Sequence, residues 1–268
     1  MKYQDIKGIP NFLAEEYEDK INDYVVLIPV INEGERIKHE LERAFQAKIY
    51  QYADIVICDG GSIDGSLEDQ NMKSLKVNTK LIKTGQGKQG AQLRMGMWWA
   101  IQRGYKGIIT IDGNDKDSIE DVPKFIEKLK EGFAFVQGSR FIKGGKAVNT
   151  PVVRYISVRL IHAPIISLTA RKWFTDTTNA FRAYSIDYLQ DERVKPFRNV
   201  FTGYELLAYL SVRATQIGYK ACEIPVCRAY PKKGKTPTKI SFFKGNSKLM
   251  GILFKNLFGA YKPKGKDE

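Results

Sequence analysis

The first half of the chain alternates short apolar runs with longer segments of helical spacing, and this alternation constrains the fold most. The run YVVLIPVIN at 24–32 is continuous and rich in β-branched residues. Such a run is typical of a strand buried on both faces of a parallel sheet. The segment 33–46 then places Ile37, Leu41 and Phe45 at helical spacing. Further predicted strands lie at 53–61, 79–83, 107–112 and 133–140, and further predicted helices at 89–104 and 118–132. The pattern predicts an α/β fold with a mostly parallel, Rossmann-like sheet flanked by helices.

Polar residues follow several of these predicted strands directly. Asn32 and Glu33 come after the first strand, Asp59 ends the second, and Asp112 follows the apolar run GIIT. Open sheets of this class bind ligands beyond the carboxyl ends of their strands. The sequence therefore predicts a binding cleft at that edge of the sheet.

The chain is strongly basic, and much of its excess charge lies near the C-terminus. Its formal net charge is +13 over 268 residues, and positions 228–268 hold eleven Lys or Arg against two acidic residues. Such a balance indicates an anionic partner: nucleic acid, a phosphorylated substrate or a membrane surface. No nucleic-acid-binding motif accompanies the charge, so no nucleic-acid partner is expected.

The C-terminal segment is predicted to form a basic amphipathic extension at 229–268, following a catalytic domain at 1–228. Apolar residues recur near helical spacing between its lysines. That pattern favours an interfacial helix on an anionic membrane surface. The alternative is that the apolar stripe packs on the domain and the lysines form its solvated face.

Two absences in the sequence bear on localisation. Three cysteines without a C-x-x-C pair fit a reduced, cytosolic chain. The N-terminus lacks the apolar core of a secretory signal, and no stretch of about 18 residues is apolar and uncharged. We therefore expect a cytoplasmic protein that lies peripherally at the inner face of the membrane.

Six motifs, in order between about 24 and 240, carry a family resemblance. They are IPVINEGERI, DGGSIDGS, GKQGAQLRMG, IDGNDKDSIEDVP, GSRF and TDTTNAFRA. The chain resembles the inverting glycosyltransferases of family 2, which have the GT-A fold. Within that family it is most similar to the group of dolichol-phosphate mannose synthases and polyprenyl-phosphate glycosyltransferases.

The resemblance implies a set of donor-binding residues: Pro29, Asn32, Glu33, Asp59 and Lys88. Asp59 would accept a hydrogen bond from the nucleotide base, and Glu33 from the ribose. Glu33 has the alternative role of opening a helix, where negative charge is favourable. Lys88 precedes a helix whose N-terminus suits a phosphate, although a solvated loop lysine is equally consistent with the sequence.

The resemblance also implies a divalent cation, Mg or Mn, held by two acidic residues after a strand. Asp112 occupies the first of these positions and is expected to bind donor as well as metal, whereas Asn114 occupies the second and lacks the charge. Asp115 and Asp117 are available to complete the ligand set. Lys116 stands where close relatives have a metal-binding glutamine. The alternative is a polar turn before a capped helix.

Acceptor binding is predicted from basic residues in the second half of the chain. Arg140, Arg154, Arg228 and Lys239 are the candidates for holding a phosphate. An acceptor of this kind, such as a polyprenyl phosphate or another lipid-linked molecule, is already an anion and needs no strong base.

Catalytic roles are assigned to Asp112, Asp176 and Glu205. The leading hypothesis is transfer of a sugar, with inversion, from a nucleotide sugar to a polyprenyl phosphate or lipid-linked acceptor. A first alternative is transfer to a sugar hydroxyl, for which Asp176 or Glu205 would act as the base. A second alternative is a non-catalytic protein that binds nucleotide sugars or anionic lipid.

Overall fold

The computed structural model describes residues 1–231 and 242–264, with the backbone alone for 242–246. Within those ranges a nine-stranded sheet has the order β1-β2-β5-β4-β3-β6-β9-β7-β10, and a small second sheet pairs β11 with β8. The strands are β1 Lys2–Tyr3, β2 Phe12–Glu16, β3 Tyr24–Val30, β4 Asp54–Asp59, β5 Val77–Lys83, β6 Gly107–Thr110, β7 Phe135–Ser139, β8 Lys146–Val148, β9 Arg182–Ser185, β10 Ala221–Pro225 and β11 Cys227–Ala229.

The predicted parallel sheet is confirmed at its centre. β3 pairs in parallel with β4 on one side and β6 on the other, and β4 pairs in parallel with β5. β9 runs antiparallel to both of its neighbours, β6 and β7. The sheet is therefore mixed, but β3 to β7 and β10 all direct their carboxyl ends to the same edge.

Helices cover both faces of the sheet, which explains the continuous apolar strands. Val25, Leu27 and Val56 belong to one buried cluster, and Val26, Ile28 and Ile55 belong to the other. Alternate residues of one strand thus enter opposite cores. The helices are α1 Glu35–Gln46, α2 Asp69–Ser74, α3 Gln89–Gln102, α4 Val122–Lys130, α5 Val152–Ser157, α6 Ala163–Ala170, α7 Ile186–Gln190, α8 Glu205–Gln216 and α9 Phe242–Leu257.

The apolar segment after β8 forms one long helical stretch. α5 continues through a π-helical turn at Val158–His162 into α6. By length and composition Val152–Ala170 could span a membrane, and only 28% of it is buried. The sequence-based expectation concerned uncharged runs and did not single out this stretch, because it contains Arg154 and Arg159.

The described part of the C-terminal extension packs on the domain. Ile252 and Leu253 of α9 are 4% exposed and join the same core as Tyr261 and Phe201. Arg198 donates a hydrogen bond to the backbone oxygen of Tyr261. Burial of the stripe against α6 and α8 favours the packing alternative over a membrane-facing stripe, although Phe254 and Phe258 stay exposed.

Candidate active site

The parallel strands bring the polar motif residues to one edge of the sheet. β3 and β4 end level with each other, since Val30 is paired with Asp59. Asp112 follows β6, and Arg140 follows β7. Because β9 runs in the opposite direction, the segment before it, which contains Asp176, meets the same edge.

The two loops after β3 and β4 are tied together by side chains. Asp59 is 5% exposed, and its Oδ1 accepts hydrogen bonds from the backbone N–H and hydroxyl of Ser62 at 2.9 and 2.7 Å. The Ser62 hydroxyl in turn accepts from the Asn32 N–H at 3.0 Å, and Asn32 Oδ1 accepts from the Ile63 N–H at 2.9 Å. Asn32 and Asp59 therefore belong to one hydrogen-bonded pair of loops at the edge of the sheet.

The other predicted donor-binding residues have more ordinary surroundings. Glu33 forms an ion pair with Arg36 at 2.7 Å, just before α1 begins at Glu35. Pro29 lies within β3, paired with Cys58 of β4. Lys88 is exposed at the N-cap of α3.

Two glutamines of α3, which the sequence interpretation did not single out, organise the edge. Gln92 Nε2 donates to the backbone oxygens of Val30 and Cys58 at 2.7 and 2.8 Å, which fastens α3 to the ends of β3 and β4. Gln89 Nε2 donates to Asp112 Oδ1 at 2.8 Å. One indication of this role is present in the sequence. Gln89 and Gln92 are three residues apart in the motif GKQGAQLRMG, and residues at that spacing share a helix face.

Asp112 lies on a tight turn whose shape depends on Gly113. The Asn114 N–H donates to the Asp112 backbone oxygen at 2.8 Å. A Cβ at Gly113 would lie 2.9 Å from Val30 Cγ2 and 3.0 Å from Ile28 Cγ2. A side chain would therefore push the turn away from β3, and glycine keeps Asp112 at the strand end.

Asp115 and Asp117 do not join Asp112, contrary to the expectation that they complete its ligand set. Asp115 has a φ of 56° and turns toward α1, where its carboxylate contacts His39 and Arg43, the latter at 2.7 Å. Asp117 is buried and forms an ion pair with Arg228. Asp115 is thus paired with cations of α1, and Asp117 with Arg228.

The turn offers a divalent cation two protein oxygens. Asn114 Oδ1 is buried and has no hydrogen-bond partner among the described residues, which leaves it available as a ligand. Asp112 supplies a carboxylate that also lies 3.5 Å from Arg228 Nη2. Within the described ranges no group of three or more His, Cys, Asp or Glu side chains could hold a metal. The donor set thus fits a cation that takes its remaining ligands from a bound diphosphate.

Tyr230 connects the cations around this turn. Its hydroxyl accepts from Arg154 Nη1 at 3.2 Å, and its ring centroid lies 5.9 Å from Arg228 and 5.3 Å from the Lys116 ammonium. Burial would raise the pKa of Tyr230, but the positive charges of Arg228, Arg154 and Arg140 outweigh it and lower that pKa to about 8. The site therefore combines several cations with the partly buried carboxylate of Asp112.

Lys116 belongs to the same cluster. It is 6% exposed, and its backbone oxygen accepts from the Ala229 N–H at 2.7 Å. Burial, followed by the charge of Arg228, lowers the pKa of Lys116 to about 8, while Asp112 and Asp117 oppose that shift. The ammonium is thus held inside the site by packing and by its anionic neighbours.

Arg140 and Asp176 form a buried pair, so Asp176 lacks the setting of a base. Arg140 Nε and Nη2 donate to the two oxygens of Asp176 at 2.6 and 2.9 Å, and both side chains are at most 1% exposed. Glu223 anchors the same segment by accepting from the Thr175 N–H at 2.9 Å. Arg140 Nη1 is buried without a hydrogen-bond partner in the described structure, so it can still bind an anion.

Glu205 is also committed to other contacts. Its Oε2 accepts from the Gly203 N–H at 2.6 Å, and its Oε1 lies 3.4 Å from Lys248 of α9. The carboxylate therefore stabilises the start of α8 and its contact with α9. Lys239, the last predicted acceptor-binding residue, lies outside the described residues.

Comparison with known proteins places this arrangement among sugar-transferring enzymes. The sequence profile of glycosyl transferase family 2 matches residues 25–192. The chain is 28% identical over 208 residues to an undecaprenyl-phosphate mannosyltransferase of Micrococcus luteus, covering 75% of this chain and 82% of the relative. It is 26% identical over 220 residues to a dolichol-phosphate mannosyltransferase of Pyrococcus furiosus, covering 80% of this chain and 58% of that relative.

Solved structures share the fold at low sequence identity. Glucosyl-3-phosphoglycerate synthase from Mycobacterium tuberculosis, in complex with Mn²⁺, UDP and glucosyl-3-phosphoglycerate, has a TM-score of 0.57 at 13% identity. The match covers 87% of this chain and 77% of that one. Another structure of the same synthase gives a TM-score of 0.60 at 13% identity, over 88% and 80% of the two chains. At such identity the likeness concerns the fold alone.

Proposed function

The chain belongs to glycosyl transferase family 2, and from that premise we propose that it transfers a sugar, with inversion, from a nucleotide sugar to a polyprenyl phosphate. The fold agrees with the GT-A arrangement expected from the sequence. The relatives named as mannosyltransferases of undecaprenyl phosphate and dolichol phosphate support this class of acceptor.

One observation carries the choice of a phosphate over a hydroxyl acceptor. The site is rich in cations, whereas both carboxylates that the sequence offered as a base are committed to other partners. Asp176 is bound bidentately by Arg140, and Glu205 is bound by a backbone N–H and faces Lys248. A hydroxyl acceptor needs such a base, but a phosphate does not, because its oxygen is already anionic.

The reaction then follows from charge placement. A phosphate oxygen of the acceptor attacks the anomeric carbon, and the bond from that carbon to the nucleoside diphosphate breaks with its electron pair on the leaving oxygen. We assign Arg228 and Arg154, both adjacent to Tyr230, to the acceptor phosphate. Arg140 Nη1, which is buried without a hydrogen-bond partner in the described structure, is assigned to the same role. Asn32 and Asp59 orient the nucleoside in the loop pair that they fix.

The donor's diphosphate requires positive charge when it leaves. A divalent cation, Mg²⁺ or Mn²⁺, would be held by Asp112 and Asn114 and would supply that charge. Gln89 orients Asp112 by donating to its Oδ1.

The acceptor's lipid chain requires contact with a membrane, and the stretch α5–α6 is suited to provide it. Val152, Val153 and Leu160 are 63–71% exposed, and Arg159 lies among them. The opposite face, including Ala163 and Ile166, is buried on the domain. This stretch therefore rests on the membrane interface instead of crossing it, and it carries Arg154 toward the site.

The function is tested by incubating the protein with nucleotide sugars of several bases and a short-chain polyprenyl monophosphate, with Mn²⁺ present. We expect release of a nucleoside diphosphate together with a lipid-linked sugar. Asp112→Asn should lower kcat by about 10²-fold or more, because it removes charge where the leaving group develops it.

Asp115→Asn is the matched control, since the same change on the same turn affects a carboxylate that faces Arg43. It should retain most of the turnover. Equal activity of Asp112→Asn and the parent protein would contradict the assignment of Asp112 to the active site. If the protein transferred sugar only to sugar hydroxyls, and if Glu205→Gln abolished that transfer, the proposed phosphate acceptor would be wrong.

A further inference from the structure

The turn after β6 places a lysine, instead of a further oxygen ligand, in the cluster that includes Asp112. The Lys116 ammonium lies 5.3 Å from the Tyr230 ring, beside Arg228, which in turn is 3.5 Å from Asp112. The positive φ of Asp115 turns that side chain to α1, and Lys116 returns to the cluster around Tyr230. The Ala229 N–H donates to the Lys116 backbone oxygen at 2.7 Å, so β11 anchors the backbone of Lys116, and the residue is 6% exposed. Lys116 is therefore a built part of the site and not a mobile surface lysine.

The charges around Asp112 differ from those of a strong metal site. Asp117 and Arg228 form an ion pair and balance each other. Arg228 Nη2 also lies 3.5 Å from Asp112, and Lys116 is a second cation whose charge acts on Asp112. A hard dication gains most of its affinity from negatively charged oxygen ligands, and here one carboxylate and one neutral amide face a fixed positive charge.

The same charge that disfavours a dication favours a diphosphate. An ammonium group is a compact cation with three N–H donors, and lysine binds phosphate oxygens as a point charge. Unlike a metal ion, the Lys116 ammonium does not have to be taken up from solution, because the fold already holds it in the cluster around Asp112.

Building on the function proposed above, we propose that Lys116 is a resident cation for the donor diphosphate. It takes over part of the charge compensation otherwise left to a divalent ion. The nucleoside diphosphate then binds without metal, and metal strengthens binding instead of enabling it.

The test is calorimetric titration of the full-length protein with UDP and with GDP, in EDTA and in Mn²⁺. The parent protein should bind one of the two in EDTA. Lys116→Gln should weaken that binding about tenfold to a hundredfold, the loss expected for a charge-assisted contact. In Mn²⁺ the same variant should recover most of the affinity, so the metal dependence of binding should increase.

Two further variants keep the test decisive. Lys128→Gln removes one positive charge from an exposed lysine that pairs with Glu131 of the same region, and it should bind as the parent does. Circular dichroism would reveal whether Lys116→Gln folds. Lys116→Arg retains the charge and should bind the nucleoside diphosphate in EDTA even if Lys116→Gln does not fold.

The outcomes separate this inference from the proposed function. Binding of a nucleotide by the parent in Mn²⁺ but not in EDTA would overturn the role of Lys116 and leave the transferase function standing. If Lys116→Gln lost the same factor of nucleotide affinity in EDTA and in Mn²⁺, the role of Lys116 would also be overturned. A parent protein that binds neither nucleotide in either condition would contradict the function itself.

Discussion

At the scale of single residues, Tyr230 shows how neighbours set the chemistry of a side chain. It is 4% exposed, and burial alone would keep its phenol neutral. Arg228, Arg154, Arg140 and the Lys116 ammonium lie around it, and the arginines prevail in lowering its pKa to about 8. A tyrosine that ionises near neutrality therefore reports the electrostatic state of the site.

This gives a prediction for pH. Near-ultraviolet absorbance should show one tyrosine ionising at about pH 8, and Tyr230→Phe should remove that step. The folded pKa is below the unfolded value of about 10, so the folded state binds fewer protons between these pH values. Ionisation of Tyr230 should therefore add to the free energy of unfolding as pH rises through that window.

The charged neighbours provide the check on this assignment. Arg154→Gln removes one of the cations, at 3.2 Å from the phenol oxygen, and should move the step to higher pH. An unchanged step in Tyr230→Phe would show that another tyrosine is responsible.

The sequence predicted the residues of the strand ends better than their partners. Asp59 and Asp112 were found because a parallel sheet brings all carboxyl ends together. The pairing of Arg140 with Asp176, or of Arg228 with Asp117, depends on contacts between distant segments that no local pattern encodes. For Tyr230 one indication is present in the sequence. It lies two residues after Arg228, and in extended backbone residues two apart have their side chains on the same face.

At the scale of elements, α3 is the helix that holds the cleft to the sheet. Nearly all of its residues are buried, so it is apolar around most of its circumference, as expected for a central helix. Gly96 permits its close approach: a Cβ there would lie 2.5 Å from Cys58 Sγ and 3.0 Å from Leu27 Cδ1. The helix could not keep its position on β3 and β4 with a larger residue.

We therefore expect Gly96→Ala to lower the free energy of unfolding by about 1–3 kcal/mol, the usual cost of overpacking a core. Gly251→Ala is the matched control, because a Cβ at Gly251 of α9 meets nothing within 4 Å. Its better helix propensity should raise stability by about 0.5–1 kcal/mol. Urea titration measures both, and a stabilised Gly96→Ala would refute the close packing.

Local patterns predicted most elements of the first half, and the second half less well. The strands β3, β4 and β6 and the helices α1, α3 and α4 carry strong periodic signals. Val152–Ala170 carries arginines within an apolar run, so the sequence alone left its structure unassigned. The amphipathic stripe of α9 looks the same whether its partner is lipid or protein, and only tertiary packing decided between them.

At the scale of the whole molecule, the membrane contact proposed above combines an excess of positive charge with an exposed apolar helix. The chain carries a net charge of +13, and the exposed side of α5–α6 combines apolar residues with arginines. Apolar contact and attraction to anionic lipid should therefore act together at this face.

Flotation with vesicles gives the corresponding prediction. The protein should bind vesicles rich in phosphatidylglycerol more tightly than phosphatidylcholine vesicles, and added salt should weaken that binding. Leu160→Asp, at a side chain that is 71% exposed, should reduce binding about tenfold or more. Ile21→Asp changes an equally apolar exposed residue, 68% exposed, near the amino end of β3, and should leave binding unchanged. Equal losses in the two variants would contradict a dedicated membrane face.

The antiparallel strand β9 has a further consequence, for the order in which the molecule can assemble. β9 is the strand that joins β6 to β7, yet α5 and α6 come before it in the chain. A nascent chain can form the units from β3 to β6 from local contacts, whereas β7 becomes paired into the same sheet only after Ser185 has been synthesised. The part of the cleft at β7 and β10 should therefore form late in folding, because it depends on contacts between segments that are far apart in the sequence. The part at β3 and β4 does not depend on such contacts.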